Sequence, residues 1–328
     1  MVTLAQFGAG RIGKIHAANI QRNPRATLKY MVDVDPKAAE ALAAACGASV
    51  ADADRVLADG AVDGVIIASS TDTHKALAEA ACRAGKAVFC EKPVDLDSVR
   101  VREVVKAVEK SGVLFFVAFN RRFDPSFSAL HQALRAGRIG KVEQVIITSR
   151  DPGPPPASYV KVSGGLFRDM MIHDLDMARW LLAEEPTEVY AIGSCLVDPA
   201  IGKLGDVDTA AVTLKTASGA ICQITNSRRA VYGYDQRIEV FGAGGMLRAA
   251  NRTDTTVEVA DGTGVIRDKP MYFFLERYAE AYRIELDHFL GCLESGARPL
   301  TGVEDGLRSL LLADAATESA KAGRPVKV

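Results

Sequence analysis

Thr3-Leu4-Ala5-Gln6-Phe7-Gly8-Ala9-Gly10-Arg11-Ile12-Gly13 decides the fold of this chain. The strand-like run Thr3–Phe7 passes directly into Gly8-x-Gly10-x-x-Gly13, and Ile12–Gln21 then reads as a helix. Glycines at such a junction permit a tight turn and let a pyrophosphate approach the backbone N–H groups at the helix N-terminus. A glycine string alone is a weak signal, but in a first βα turn it is a dinucleotide fingerprint. The second strand candidate, Leu28–Val34, brings Asp33 into play twenty positions beyond Gly13 (33 − 13). An acid there accepts hydrogen bonds from the ribose hydroxyls and repels a 2′-phosphate, so the pattern reads NAD rather than NADP. Gly8, Gly10, Arg11, Ile12, Gly13 and Asp33 form the first cofactor-binding set.

Outward from this turn, apolar runs and Ala-rich helical stretches alternate. Lys37–Ala45, Gly64–Ala68, His74–Ala84, Ala87–Cys90, Val99–Lys110 and Leu114–Ala118 follow one another in that rhythm. It is the signature of a parallel, doubly wound sheet. Past Arg122 the alternation stops. A helix (Phe123–Arg135) and a strand (Val142–Ser149) lead to a proline-rich loop, Pro152 to Pro156, and to a long helix from near Gly165. Strand candidates then succeed one another: Val189–Gly193, Thr209–Leu214, Ala220–Asn226, Gln236–Phe241, Gly245–Ala249 and Thr256–Val259. Short turns such as Ala217-Ser218-Gly219 between them point to an antiparallel sheet. Two helices, Glu276–Leu293 and Val303–Ala322, close the chain. The expected class is α/β, with a Rossmann domain over residues 1–121 and a second α/β domain over 122–328.

The 328 residues suit roughly two domains of about 150. Forty basic against forty-one acidic residues leave a net charge of −1. No basic field collects phosphate backbones or anionic lipid, which argues against nucleic-acid and membrane-surface partners. The N-terminus enters a strand without a charged region and apolar core, and no apolar run approaches about 20 residues, so a cytoplasmic location is expected. The six cysteines and five histidines are scattered, without the close pairs of redox or metal motifs, and no metal is expected.

Two further strings carry chemistry. Cys90-Glu91-Lys92-Pro93 closes the fifth strand, on the side where open α/β sheets bind ligands. Lys92 there can hydrogen-bond a reacting oxygen and stabilise its negative charge, the bland alternative being a solvated lysine. The proline suits a fixed turn compatible with a cis bond. The other string runs from Ser163 through Gly164-Gly165 to Asp169, His173, Asp174 and Asp176. On one continuous helix, Asp169 and His173 stack on one face, so that the carboxylate orients the imidazole as a base. An ordinary i,i+4 contact is the alternative. Trp180 and its apolar neighbours read as core.

Gly8–Gly13, Glu91-Lys92-Pro93 and Gly164-Gly165-x-x-x-Asp169-x-x-x-His173-Asp174 together resemble the glucose-fructose oxidoreductase / inositol dehydrogenase / rhizopine-catabolism family, along essentially the whole chain. The resemblance implies a Rossmann domain followed by an α/β domain with a large open, mainly antiparallel sheet, whose faces pair into homotetramers. Within the family, Phe119-Asn120-Arg121-Arg122-Phe123-Asp124, Arg150-Asp151-Pro152 and Tyr232-Gly233-Tyr234-Asp235-Gln236 look like strings of the inositol 2-dehydrogenases. By that resemblance Lys92, Asp169 and His173 are catalytic, and Arg122, Asp151 and Tyr234 join them in binding substrate. Ser69, Thr71 and His74 would line the cofactor's ribose and nicotinamide side, with Lys92 also touching the cofactor and Glu91 supporting Lys92 or the ribose. The implied reaction is NAD-dependent oxidation of one hydroxyl of myo- or scyllo-inositol to the inosose. A sugar dehydrogenase with the same catalytic set is the alternative; a non-catalytic NAD-binding sensor is a remote one, because Lys92, Asp169 and His173 are all intact. Asp151 departs from a relative that has asparagine, and the proline-rich loop after it differs too, which leaves the preferred isomer open.

Overall fold

The computed structural model describes residues 1–328. Strand β1 (Val2–Phe7) runs into helix α1 (Arg11–Arg22), followed by β2 (Ala26–Val32), α2 (Pro36–Cys46), β3 (Ser49–Val50) and α3 (Ala53–Ala58). The rhythm continues through β4 (Gly64–Ile67), α4 (Thr71–Arg83), β5 (Ala87–Glu91), α5 (Ser98–Ser111) and β6 (Phe115–Ala118). The strands pair in parallel, in the order β3-β2-β1-β4-β5-β6. The order reverses between β1 and β4, the switch point outside which such sheets bind ligands. Val65, Ile66, Ile67, Val88, Phe89 and Cys90 are all fully buried, as parallel strands covered on both faces require. Elements β3 and α3 escaped the sequence alternation because β3 has two residues, both exposed, and carries no apolar run.

Helix α6 (Pro125–Arg135) and strand β7 (Val142–Arg150) begin the second region, with α7 (Ala157–Ser163), α8 (Gly165–Asp169) and α9 (Ile172–Leu182) after them. Then come β8 (Pro186–Ser194), α10 (Pro199–Lys203), β9 (Thr209–Thr216), β10 (Ile221–Ser227), β11 (Asp235–Gly242) and β12 (Gly245–Ala249). The hairpin β13 (Glu258–Asp261) and β14 (Gly264–Arg267) precedes α11 (Phe274–Arg277), α12 (Ala279–Ser295), α13 (Val303–Ala322) and β15 (Val326–Lys327). Seven strands form one sheet in the order β12-β11-β7-β10-β9-β8-β15. Only β7 and β10 pair in parallel, so the expected mainly antiparallel sheet is present. Along β9 and β10, Ala210, Val212, Leu214, Cys222 and Ile224 are buried while Ile221 and Gln223 are exposed. This period of two covers one face and leaves the other open. Tyr190, Ile192, Ile221, Phe241 and Met246 stand exposed on the open face.

The chain divides into two compact units, Met1–Phe123 with Ala281–Leu310, and Asp124–Glu280 with Leu311–Val328. Residues 281–310, within the expected second domain of 122–328, group with the first unit. The reason is the edge of β6. Thr301 Oγ1 donates to the Val117 carbonyl at 2.7 Å, the Val117 N–H donates back at 3.1 Å, and Gly306 packs on Val94 and Val117. An exposed strand edge is thereby covered. No helix is long and apolar enough to cross a membrane.

Candidate active site

In the first unit the glycine turn is built by exclusion. Gly8 sits at φ +105°, and a Cβ on it would lie 2.4 Å from the Ala68 carbonyl oxygen. One on Gly13 would lie 2.1 Å from the Gly8 carbonyl oxygen. Gly10 differs: a Cβ there would meet nothing within 4 Å, so this is the open side, where a pyrophosphate can reach backbone. Buried Gln6 ties the turn from below, its Nε2 donating to the Gly8 and Gly13 carbonyls at 2.8 Å. Helix α1 starts at Gly10 with no side-chain cap and no acid in its first turn, leaving N–H groups and the positive end of the helix dipole for an anion. Arg11 is exposed at that end, and Ile12 is half-buried.

Asp33 lies beside this turn, as its spacing predicts. The Ala9 N–H donates to Asp33 Oδ2 at 2.6 Å and the Asp35 N–H to Oδ1 at 2.8 Å. Two backbone donors thus orient the carboxylate while leaving it lone pairs for ribose hydroxyls. The uncapped helix end, the open side at Gly10 and the oriented acid fit NAD.

The neighbouring turns carry the remaining first-unit residues. Ser69 Oγ lies 2.6 Å from Thr73 Oγ1, and Thr71 opens α4, half-buried. His74 is buried, with Nδ1 2.8 Å from the Pro93 carbonyl oxygen and Nε2 3.1 Å from that of Ser69. A neutral imidazole donates to one of these two carbonyl oxygens, and the ring lies between the Ser69 turn and the Lys92-Pro93 turn. Lys92 follows β5, half-buried, and its bond to Pro93 is cis. Glu91 turns inward: its Oε1 lies 2.6 Å from His16 Nε2. Arg122 packs within this unit as well. It is 5% exposed, and it donates to the Leu300 carbonyl at 3.0 Å and to Asp305 at 2.9 Å.

In the second unit the expected long helix from Gly165 is broken. Helix α8 ends at Asp169 and α9 starts at Ile172. The Met171 N–H donates to the Leu166 carbonyl, five residues back, a widened turn of the kind that interrupts helices. Asp169 is thus the last residue of one helix and half-buried His173 lies in the first turn of the next, not on one continuous face. Gly165, at φ +83°, is required at the first position of α8 because a Cβ would lie 2.7 Å from Asp206 Oδ1, which accepts the Leu166 N–H.

What holds this junction was not legible beforehand. Arg228, 5% exposed, donates from Nη2 to Asp169 Oδ2 at 2.9 Å and from Nη1 to Asp151 Oδ2 at 3.2 Å. Tyr159 donates its hydroxyl to Asp169 Oδ1 at 2.8 Å. Burial alone would push the Arg228 guanidinium down, but Asp169 and Asp151 more than offset it and hold it above its ordinary value. Below His173, fully buried Asp174 accepts from Ser149 Oγ at 2.6 Å and Asn226 Nδ2 at 2.9 Å, anchoring the start of α9 to the sheet. Tyr234 is 6% exposed, its ring edge-on to Tyr278 at 5.9 Å. The preceding Gly233 is required at φ +123°, where a Cβ would meet the Pro270 carbonyl oxygen at 2.5 Å. The structure therefore brings Asp151 and Asp169 together through Arg228, and His173 lies in the first turn of α9. A shallow cavity of about 300 Å³, lined by Ile192, Thr209, Thr225 and Ser227 among others, belongs to the open face of the sheet.

Residues 2–119 match the oxidoreductase family described as an NAD-binding Rossmann fold, and residues 127–248 match the GFO/IDH/MocA C-terminal domain. The chain is 50% identical to an inositol 2-dehydrogenase of Rhizobium meliloti over 100% of its own length and 99% of the relative's. It is 47% identical to a myo-inositol 2-dehydrogenase of Thermotoga maritima, covering 98% and 97%. Among solved structures, scyllo-inositol dehydrogenase of Lactobacillus casei with bound NAD(H) and scyllo-inositol superposes with a TM-score of 0.92 at 31% identity, covering 100% and 99%.

Proposed function

Because the chain belongs to the GFO/IDH/MocA family of NAD-binding oxidoreductases, we propose that it oxidises one hydroxyl of inositol to the ketone with NAD+. Full-length likeness at 50% identity to a protein named inositol 2-dehydrogenase carries this reading. When bound, the cofactor supplies the acceptor for the hydride. Gly8 to Gly13 and Asp33 hold it by its pyrophosphate and ribose, with Ser69 and Thr71 on the neighbouring turn. His173 takes the hydroxyl proton on its imidazole. Asp169, kept in place by Arg228 and Tyr159, stabilises the imidazolium so formed. Lys92 donates to the oxygen as it becomes a carbonyl. Asp151 binds a further hydroxyl, and Tyr234 shapes the wall of the substrate site.

The open face of the second sheet, with Tyr190, Ile192, Ile221, Phe241 and Met246 exposed, is the surface through which we expect a homotetramer to assemble, in the cytoplasm. Such an apolar face is seldom left to water. Light scattering should give four times the 35.0 kDa chain mass; a monomer would refute the assembly.

The direct test is the initial rate of NADH formation with NAD+ or NADP+ against myo-, scyllo- and chiro-inositol and glucose. Turnover of an inositol with NAD+ is expected. His173→Ala should then lower kcat by about a hundredfold or more. Activity confined to glucose would move the substrate to an aldose, and near-full activity of the variant would remove His173 as the base.

A further inference from the structure

The first unit encloses an acid that the proposed reaction does not use. Glu285, on α12, is fully buried, and neither of its carboxylate oxygens has a hydrogen-bond partner. His16 of α1 and Glu91 at the end of β5 face it. One ligating atom from each of the three residues lies within 4.8 Å of the other two. His16 Nε2 and Glu91 Oε1 are directly paired at 2.6 Å. The His16 ring meets Phe89 and Tyr282 edge-on at 4.9 and 5.9 Å. The titratable groups that face Glu285 are thus one imidazole and one carboxylate.

Charge counting narrows what this enclosure can hold. With both acids ionised it carries two negative charges, or one net if His16 is protonated, and an unpaired buried carboxylate is so costly that it keeps a proton instead. Burial first, and the charge of Glu91 second, push the Glu285 carboxyl well above the ordinary carboxylate range. A shared metal ion is the other way to balance two acids. Ligands on one zinc at about 2.0–2.2 Å stand more than about 3 Å apart, whereas His16 and Glu91 are already at hydrogen-bond distance.

We propose that Glu285 is a positioning residue that remains a neutral carboxylic acid, so that the His16–Glu91 pair is the only charge carried in the enclosure and the strand end bearing Lys92 keeps its place. Glu91 and Lys92 are consecutive, and the Glu91 side chain is 13% exposed. A second anion behind Glu91 repels it toward solvent and moves Lys92 with it. The inference rests on the proposed function only through the role of Lys92.

Glu285→Gln and Glu285→Ala test it in the full-length protein. A carboxylic-acid C=O band in the infrared spectrum at neutral pH should be present in the wild type and missing in E285Q. Glutamine copies the neutral acid, so E285Q should keep kcat within about threefold, whereas E285A should lose about tenfold in kcat with little change in KM for NAD+. The sign of the pH effect follows from a raised folded pKa: stability from the protonated acid is complete below the ordinary glutamate value and is lost as pH rises through the folded value. The thermal midpoint of E285Q should therefore gain on the wild type as pH rises from mildly acidic to alkaline. Parallel pH curves, absence of the band, or stoichiometric zinc or manganese in the purified protein would each overturn the proposal. Should E285Q fail to accumulate, the band in the wild type decides alone. The spectroscopic and unfolding readouts stand even if no inositol is turned over.

Discussion

Asp169 and Glu285 are both buried acids, one in each unit, and their surroundings treat negative charge in opposite ways. Asp169 has Arg228 on one oxygen and Tyr159 on the other. Glu285 has no donor at all and faces another acid. The first environment stabilises an anion. The second stabilises a proton. Two buried acids thus meet opposite electrostatic surroundings, and the difference lies in whether an arginine reaches them.

Removing that arginine is the strongest way to break the contrast. Arg228→Met keeps most of the apolar stem but leaves Asp169 buried without its cation, and the loss of one partner of a buried pair costs about 3–5 kcal/mol. Thermal unfolding should show that loss, with kcat falling as the support for His173 fails. Adding Asp169→Asn should recover part of the stability, because both halves of the pair are then gone. If the double variant is no more stable than R228M, the arginine acts by packing, and the contrast with Glu285 is not one of charge.

The same contrast explains what was legible in the sequence. The glycine fingerprint and Asp33 are local: the constraint at Gly8 and Gly13 is a matter of missing Cβ atoms, and Asp33 reaches Ala9 across adjacent parallel strands. Local geometry of this kind is written in spacing. The Arg228 clamp is not, because it joins residues 59 and 77 positions apart. Two buried acids do call for a cation, and the Arg228-Arg229 pair after a strand candidate was a hint of it. Glu91, Arg122 and His74 show a second limit. Their residue types suit a site, yet a sequence places a residue on a turn without showing the partners its side chain takes, here His16, Asp305 and the Pro93 carbonyl. The break between α8 and α9 falls under the same limit, since Met170 and Met171 keep helical backbone angles while the hydrogen bonding widens.

Asp151→Asn sharpens the comparison with the smallest expected effect. Asp151 is the second acid on Arg228, at 3.2 Å, and its side chain is 19% exposed. Asparagine keeps a carbonyl oxygen that can accept from Arg228 Nη1, and Asp169 still balances the guanidinium. The stability change should therefore stay under about 1 kcal/mol, the range of partly solvated ion pairs. With Asp151 in its proposed role on a substrate hydroxyl, KM for inositol and the ratio between isomers should move more than kcat, the pattern expected when a binding contact, not a contact made only in the transition state, is altered. Steady-state rates on myo- and scyllo-inositol beside an unfolding curve measure all of this. If D151N is instead as damaging to stability and kcat as R228M, then Arg228 serves Asp151 as much as Asp169, and the charge that distinguishes the two units is a three-residue network whose parts do not separate.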